Sequence, residues 1–352
     1  MEVIAVKERL IYIDILRVLA TVFVIGVHTV SLAITMVEYG GTAYYVLEIF
    51  NFIFLSCNLL FVMISGALLL PVRNERTGDF FRKRFTKVVI PMVVYYILYV
   101  CAKEGIEWIY PNHWLPMLRR ILTGSPVEAP HFWLVYVIIW LYVLTPLLRF
   151  ITANIPDSVL SGLMAVIFLV CALDTYLPAF GVASPLGIVV DSFAGAFLLG
   201  YFVNGKCTKR QENFFLAAGV ISFSVSCVLI FRTADFANYI YQNAPTMLFF
   251  SSEIFIAVKR LFAGKRSAGH FVRLISRYSY SILLIHWGVL HFVVKQVLGV
   301  NVLSGGIWGG CILMMALTLV ISVAGAVLLD NTLMRVLTLP FSGNGTRREK
   351  KE

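Results

Sequence analysis

Ten stretches of this chain read as membrane spans, at residues 10–33, 44–70, 88–103, 131–150, 158–176, 186–203, 214–231, 239–258, 274–298 and 307–329. A run of this length and apolarity has few ways to fold. In hydrocarbon each backbone N–H and C=O must be satisfied inside the structure, which favours the helix. Composition agrees: 59% of residues are hydrophobic and 14% charged, with a mean hydropathy of +0.85, where a soluble chain carries nearer a quarter charged residues. The expected fold class is therefore all-α, a polytopic membrane protein of about ten transmembrane helices enclosing a central tunnel. Residues 1–341 read as one membrane domain and 342–352 as a polar, disordered tail, with no fused soluble domain. The first apolar run is too long for a signal peptide and no small-residue cleavage site follows it, so it is expected to stay as a helix.

The net charge of +10 would suit a nucleic-acid partner, but its distribution argues otherwise. With ten spans both termini share a side, and 24 of the 29 Lys and Arg fall on that side. Loops rich in Lys and Arg stay in the cytoplasm. Both termini are expected there, in a multi-pass membrane protein, and nucleic acid is not needed to explain the charge. The six cysteines have no metal-ligand spacing and read as small buried hydrophobes. No metal site is expected.

The first span carries Asp14, Arg17 and His28. Ionisable groups at membrane depth mark functional positions. Arg17 and His28 are eleven residues apart, three turns plus roughly 20° at ~100° per residue, so both leave one face of a helix, separated by about 16 Å along its axis. The inferred orientation puts the guanidinium in the cytoplasmic half and the imidazole in the outer half. Asp14, three residues before Arg17, is placed to pair with it and fix its rotamer.

Other polar groups are candidates for a site on the same passage. His131 and Trp133 open the fourth span at the outer mouth, where they read either as ligand-binding groups or as part of an interfacial aromatic belt. Asp191 and Glu253 are carboxylates within spans, read either as site groups or as polar contacts between helices, and His286 lies near mid-membrane. His286 and His291, five apart, do not share a helix face, which argues against a metal pair. The connection 104–130 is the longest polar segment and reads as a loop. Gly305-Gly306 reads as a turn, and Ser65-Gly66 as a place of close helix packing.

Several of these residues recur as an ordered set: Asp14-x-x-Arg17-x10-His28, Ser65-Gly66-Ala67-Leu68-Leu69, Arg82-Lys83-Arg84, His131-x-Trp133, and Tyr280-Ser281-Ile282-Leu283-Leu284-Ile285-His286. The set resembles the acyltransferase-3 family of bacterial integral membrane O-acyltransferases, over about residues 11 to 330. The resemblance implies a ten-helix fold that carries an acyl group, most simply acetyl, from cytoplasmic acyl-CoA to a hydroxyl of a cell-envelope saccharide or glycolipid. It makes the first-span histidine, His28, the catalytic residue, with acetyl-CoA as co-substrate and no tightly bound cofactor. Arg17, supported by Asp14, would hold the donor phosphates together with Arg82, Arg84 and Lys87. The acceptor would meet His131, Trp133, Asp191, Glu253, Tyr280 and His286. Two departures stand out: the second span reads Ser56-Cys57-Asn58-Leu59 where the family often has Pro, and the basic R-x-x-R element reads Arg84-Phe85-Thr86-Lys87. Lys presents a point charge and not a bidentate fork, which weakens a two-arginine phosphate clamp there.

Two roles stay open for His28, general base on the acceptor hydroxyl or transient carrier of the acyl group. Two rival functions also stay open. A transporter or flippase would show internal repeats with broken helices, and none is evident. A non-catalytic saccharide-binding membrane protein would depend on His131 and Trp133 but not on His28.

Overall fold

The computed structural model describes residues 10–72, 75–104, 111–124, 127–182, 192–241, 244–265 and 267–341. Every regular element among them is helical. Eight helices are long and apolar enough to cross a membrane: Ile11–Ile34, Thr42–Leu69, Thr77–Lys103, Pro130–Asn154, Asp157–Phe180, Lys209–Arg232, His270–Val297 and Gly306–Phe341. The remaining two expected spans correspond to shorter or less apolar helices, Ser192–Gly205 and Pro245–Phe262. Residues 186–191 of the expected sixth span, and the tail 342–352, lie outside the described residues.

In chain order we label α1 (Ile11–Ile34), α2 (Thr42–Leu69), α3 (Thr77–Arg84), α4 (Ile90–Glu104), α5 (Pro111–Thr123), α6 (Trp133–Asn154), α7 (Asp157–Tyr176), α8 (Ser192–Gly205), α9 (Lys209–Arg232), α10 (Ala237–Ile240), α11 (Pro245–Phe262), α12 (His270–Gly288), α13 (Gly306–Leu329) and α14 (Arg335–Thr338). The third expected span is longer than its apolar run. It begins at Thr77 because α3 joins α4 through a π-helical turn, Phe85–Val89. The segment read as a loop contains α5, whose short amphipathic pattern is broken by Pro116 and does not resemble a span. Gly305 and Gly306 adopt φ of 80° and 84°, the turn expected of them.

Large apolar side chains stay exposed along the spans, including Trp140, Leu147 and Phe150 on α6, and Ile312, Val320 and Leu328 on α13. Such faces suit lipid.

The chain forms two compact units. The first comprises Met1–Phe23, Phe52–Leu68 and Asp157–Ser279. Its helices approach at glycines: a Cβ added to Gly66 would lie 1.8 Å from the Phe197 carbonyl oxygen, and one at Gly200 would lie 2.0 Å from that of Met63. These two glycines bring α2 and α8 backbone to backbone, as in small-residue membrane interfaces. Elsewhere Phe168 stacks on Phe249 at 4.2 Å. At the basic end, Glu212 accepts from Lys259 at 2.9 Å and from Arg260 at 2.9 and 3.0 Å. Thr208 and Gln211 form a reciprocal capping box that starts α9.

The second unit comprises Val24–Asn51, Leu69–Pro156 and Tyr280–Glu352. Its core gathers Met92, Tyr95, Tyr96, Tyr99 and Val100 of α4 with Phe132, Val135 and Leu284. Three π-helical segments occur here, Phe85–Val89, Val289–Val297 and Asp330–Met334. The stretch Tyr280–Gly288 is tied to each of them. The Tyr280 hydroxyl donates to the Val88 carbonyl at 2.8 Å, Ser281 donates to the Asp330 carboxylate at 2.7 Å, and Val289 follows Gly288 directly.

Candidate active site

Within the second unit three imidazoles converge. The His28 ring, on the later part of α1, lies 5.2 Å from that of His286 and 6.4 Å from that of His131. The His131 and His286 rings are 5.1 Å apart. His286 is fully buried and His131 is 6% exposed, while His28 is half-buried. His131 therefore does not stand at an open mouth. The 3-10 turn Pro130–Phe132, begun by proline, carries it just before α6, and the indole of Trp287 stacks on its ring at 5.9 Å and 14°.

Backbone carbonyls set the tautomers of two of these rings. His131 Nε2 lies 3.1 Å from the Leu284 oxygen, and His286 Nδ1 lies 2.8 Å from the Leu283 oxygen and 3.2 Å from that of Ile282. A carbonyl only accepts, so each of these nitrogens carries a proton, and when the ring is neutral the opposite nitrogen keeps its lone pair. Those opposite atoms, His131 Nδ1 and His286 Nε2, are buried and have no hydrogen-bond partner among the described residues. Buried polar atoms without partners are rare and ask for an explanation. A hydrogen-bond donor arriving beside His28, such as a hydroxyl, would supply one.

The Leu284 carbonyl is available because the helix is interrupted there. Tyr99 donates to the Leu284 oxygen at 3.0 Å and accepts from the Gly288 amide at 2.8 Å, the two groups that a regular α-helix joins to each other. A side chain set into the ladder at the passage from α12 into its π segment is an identifiable cause of irregular helix. Gly288 is needed for the approach: a Cβ there would lie 2.8 Å from Tyr99 Cε1. Neither residue stands out in the sequence; the available signal is the Tyr95, Tyr96, Tyr99 stripe on one face of α4 and a lone glycine within an apolar run. Glu128 was also missed. It is 5% exposed, close to His131 in sequence, and holds α5 in place by bonds to Tyr96 and Arg120.

The other expected site residues fall in different surroundings. Asp14 is buried and accepts from Ser276 of α12 at 2.6 Å, inside the first unit. Arg17, half-buried, lies on the same continuous helix as His28. Arg82 is exposed and bonds Asp79 at 3.0 Å, and Lys87 is exposed. Arg84 sits over the rings of Phe80, at 5.2 Å, and Tyr142, at 5.4 Å. Lys83 bonds Glu75 at 2.8 Å. Tyr280 spends its hydroxyl on Val88, and Trp133, half-buried, follows the turn that holds His131. Glu253 belongs to the first unit, packed on Gly219 of α9, where an added Cβ would meet the Glu253 Cβ at 2.3 Å. Asp191 lies outside the described residues. Among the described residues no three His, Cys, Asp or Glu side chains are grouped to hold a metal ion.

Apolar helices with lipid-suited faces define a multi-pass membrane protein, and three imidazoles gather within its second unit. The acyltransferase-3 family model, described as an acyltransferase domain, matches residues 10–329. The chain belongs to that family and is a membrane acyltransferase. Comparison with curated proteins and with solved structures returns no match.

Proposed function

We propose that the chain moves an acetyl group from cytoplasmic acetyl-CoA to a hydroxyl of a cell-envelope saccharide, from a bacterial cytoplasmic membrane, with ten spans and both termini in the cytoplasm. The observation that carries the reading is the imidazole cluster: His28 flanked by two buried rings, each with a nitrogen that has no hydrogen-bond partner among the described residues. His28 accepts the hydroxyl proton as the acceptor oxygen attacks the thioester carbonyl. The carbon–oxygen bond forms, the carbon–sulfur bond breaks, and the departing thiolate takes the proton from the His28 imidazolium. The products are an O-acetyl ester and free CoA thiol.

His131 and His286 orient the acceptor through their bare nitrogens, with Trp133, Tyr280, Glu253 and Asp191 as further acceptor-side or supporting groups. Arg17, Arg82, Arg84 and Lys87 attract the donor phosphates, with Asp14 steadying the first helix. In Arg84 the Nε has no hydrogen-bond partner among the described residues, so its ring-held guanidinium can still accept an anion. The test is purified protein given acetyl-CoA with and without envelope glycan. Acceptor-dependent release of CoA thiol supports the enzyme; glycan movement across vesicles without thiol release would overturn it in favour of a flippase.

A further inference from the structure

At the basic end of the first unit a cleft of about 310 Å³ lies between α7 and α9. Ser161, Met164, Ala165 and Phe168 line it from α7, at the i, i+3, i+4, i+7 spacing of one helix face. Gln211, Phe214 and Phe215 line it from α9, and α8 and α11 contribute Phe202 and Phe249. The polar groups of this lining sit at one end. Gln211 donates to the Ser161 hydroxyl at 3.0 Å, close to the first residues of both α7 and α9. Seven residues separate Ser161 from Phe168, so the aromatic part of the slot reaches about 10 Å further along α7. Its walls are pre-formed. Phe249 stacks on Phe168 at 4.2 Å and meets Phe214 and Phe215 at 5.9 and 6.0 Å. Phe214 stays 59% exposed beside the slot, on a helix that is apolar and long enough to cross a membrane, so the slot is open to lipid.

Shape and charge together select the ligand. An apolar slot of this kind accepts a hydrocarbon chain, and its rim adds a sign. Lys206 bonds Asp157 at 2.9 Å, one turn before Ser161. Lys209 and Arg210 are exposed and directly precede Gln211, and Arg210, four residues before Phe214, lies on the same face of α9 as that ring. Around the rim Lys206, Lys209, Arg210, Lys259 and Arg260 stand against the carboxylates of Asp157 and Glu212 among the described residues, an excess of positive charge. A headgroup with a lone phosphodiester is attracted there, whereas a zwitterionic one brings its own ammonium to the same cations. We propose that this cleft is a binding site for an anionic phospholipid, with one acyl chain among Phe168, Phe214 and Phe249 and the headgroup phosphate held by Lys209 and Arg210. The site goes beyond the acyl transfer proposed above and does not depend on it.

The test is native mass spectrometry of the delipidated full-length protein in detergent, titrated with phosphatidylglycerol or with phosphatidylethanolamine of the same two chains. Wild type should bind phosphatidylglycerol at least tenfold more tightly. Lys209→Gln combined with Arg210→Gln should bring the two lipids to within twofold of each other, because the charge is gone and the slot remains. Ala165→Phe should fill the slot and weaken phosphatidylglycerol at least fivefold. All three positions are exposed, and unchanged circular dichroism confirms that the variants fold. Equal retention of the two lipids by wild type overturns the proposal without recourse to any variant. So does a preference that survives in the Lys209, Arg210 variant, binding unaltered by Ala165→Phe, or displacement of the lipid by coenzyme A or by inorganic phosphate. None of these outcomes bears on the thiol-release assay, so the two readings fail separately.

Discussion

The hydroxyl of Tyr99 accepts the amide N–H of Gly288 at 2.8 Å and returns a hydrogen bond to the Leu284 carbonyl at 3.0 Å. One phenol thereby stands in a rung of the ninth expected span, and the same Leu284 oxygen receives His131. Tyr99→Phe removes the bridge and leaves buried backbone groups short of a partner, at a cost of about 1–3 kcal/mol. Gly288→Ala forces a methyl against the Tyr99 ring, with an overpacking cost of about 1–3 kcal/mol. Thermal unfolding in detergent should show both variants melting below wild type. A Tyr99→Phe protein with an unchanged midpoint would show that the bridge contributes nothing.

The imidazole cluster predicts a division of labour. His28→Ala and His28→Gln should lower kcat by about 10²–10⁴, the usual worth of a general base, with the fold retained because His28 is only half-buried. Arg17→Ala should instead raise the KM for acetyl-CoA by roughly tenfold or more, as expected for a lost charge-assisted bond. Steady-state kinetics with acetyl-CoA as the varied substrate separates the two, and a His28→Gln enzyme of normal kcat would end the mechanism.

Close helix approach in the first unit makes its glycines unequal. Gly66→Ala and Gly200→Ala would each drive a Cβ to within 2.0 Å of a carbonyl oxygen, which neither backbone can yield without separating α2 from α8. Gly162→Ala on α7 meets nothing within 4 Å and should be neutral or stabilising by about 0.5–1 kcal/mol. Yield of monodisperse protein from the membrane should collapse for the first two and not for the third.

Glu75, in the turn between α2 and α3, is held below the ordinary carboxylate range by its hydrogen bond from Lys83, with Arg149 and Arg84 adding to the effect. A depressed folded-state value contributes stability that is fully present above the unfolded carboxylate's pKa and is lost as pH falls through the folded one. Unfolding midpoints of the wild type should therefore decline from about pH 5 downward, and Glu75→Gln should flatten part of that decline. Parallel wild-type and Glu75→Gln profiles would rule out this contribution.

Much of the helical frame was legible because burial in lipid imposes length and apolarity on a span. Hydropathy located α1, α2, α6, α7, α9, α13 and α12 with its π continuation within a few residues, and Gly305-Gly306 marked a turn. The same rule fails for α3 and α5, which are too polar or too short to announce themselves; their helices are stabilised by contacts such as those of Glu128 with Tyr96 and Arg120. The π segments were invisible for a related reason. The segment after α12 begins where a side chain distant in sequence enters the backbone ladder, as Tyr99 does at Gly288.

By itself the sequence determined the class of the protein and drew attention to the most conspicuous polar group of its candidate site, His28, since an imidazole within an apolar run has to be accommodated at membrane depth. It also presented His131 and His286 as separate candidates. Only the tertiary structure decided that these rings meet, which nitrogens they leave bare, and that Asp14 is engaged by Ser276. Hydrophobic burial reads one residue at a time and survives in the linear pattern. Hydrogen-bond partnership depends on distance and direction between segments more than a hundred residues apart, as with His131 and Leu284, and comes into being only when the helices pack.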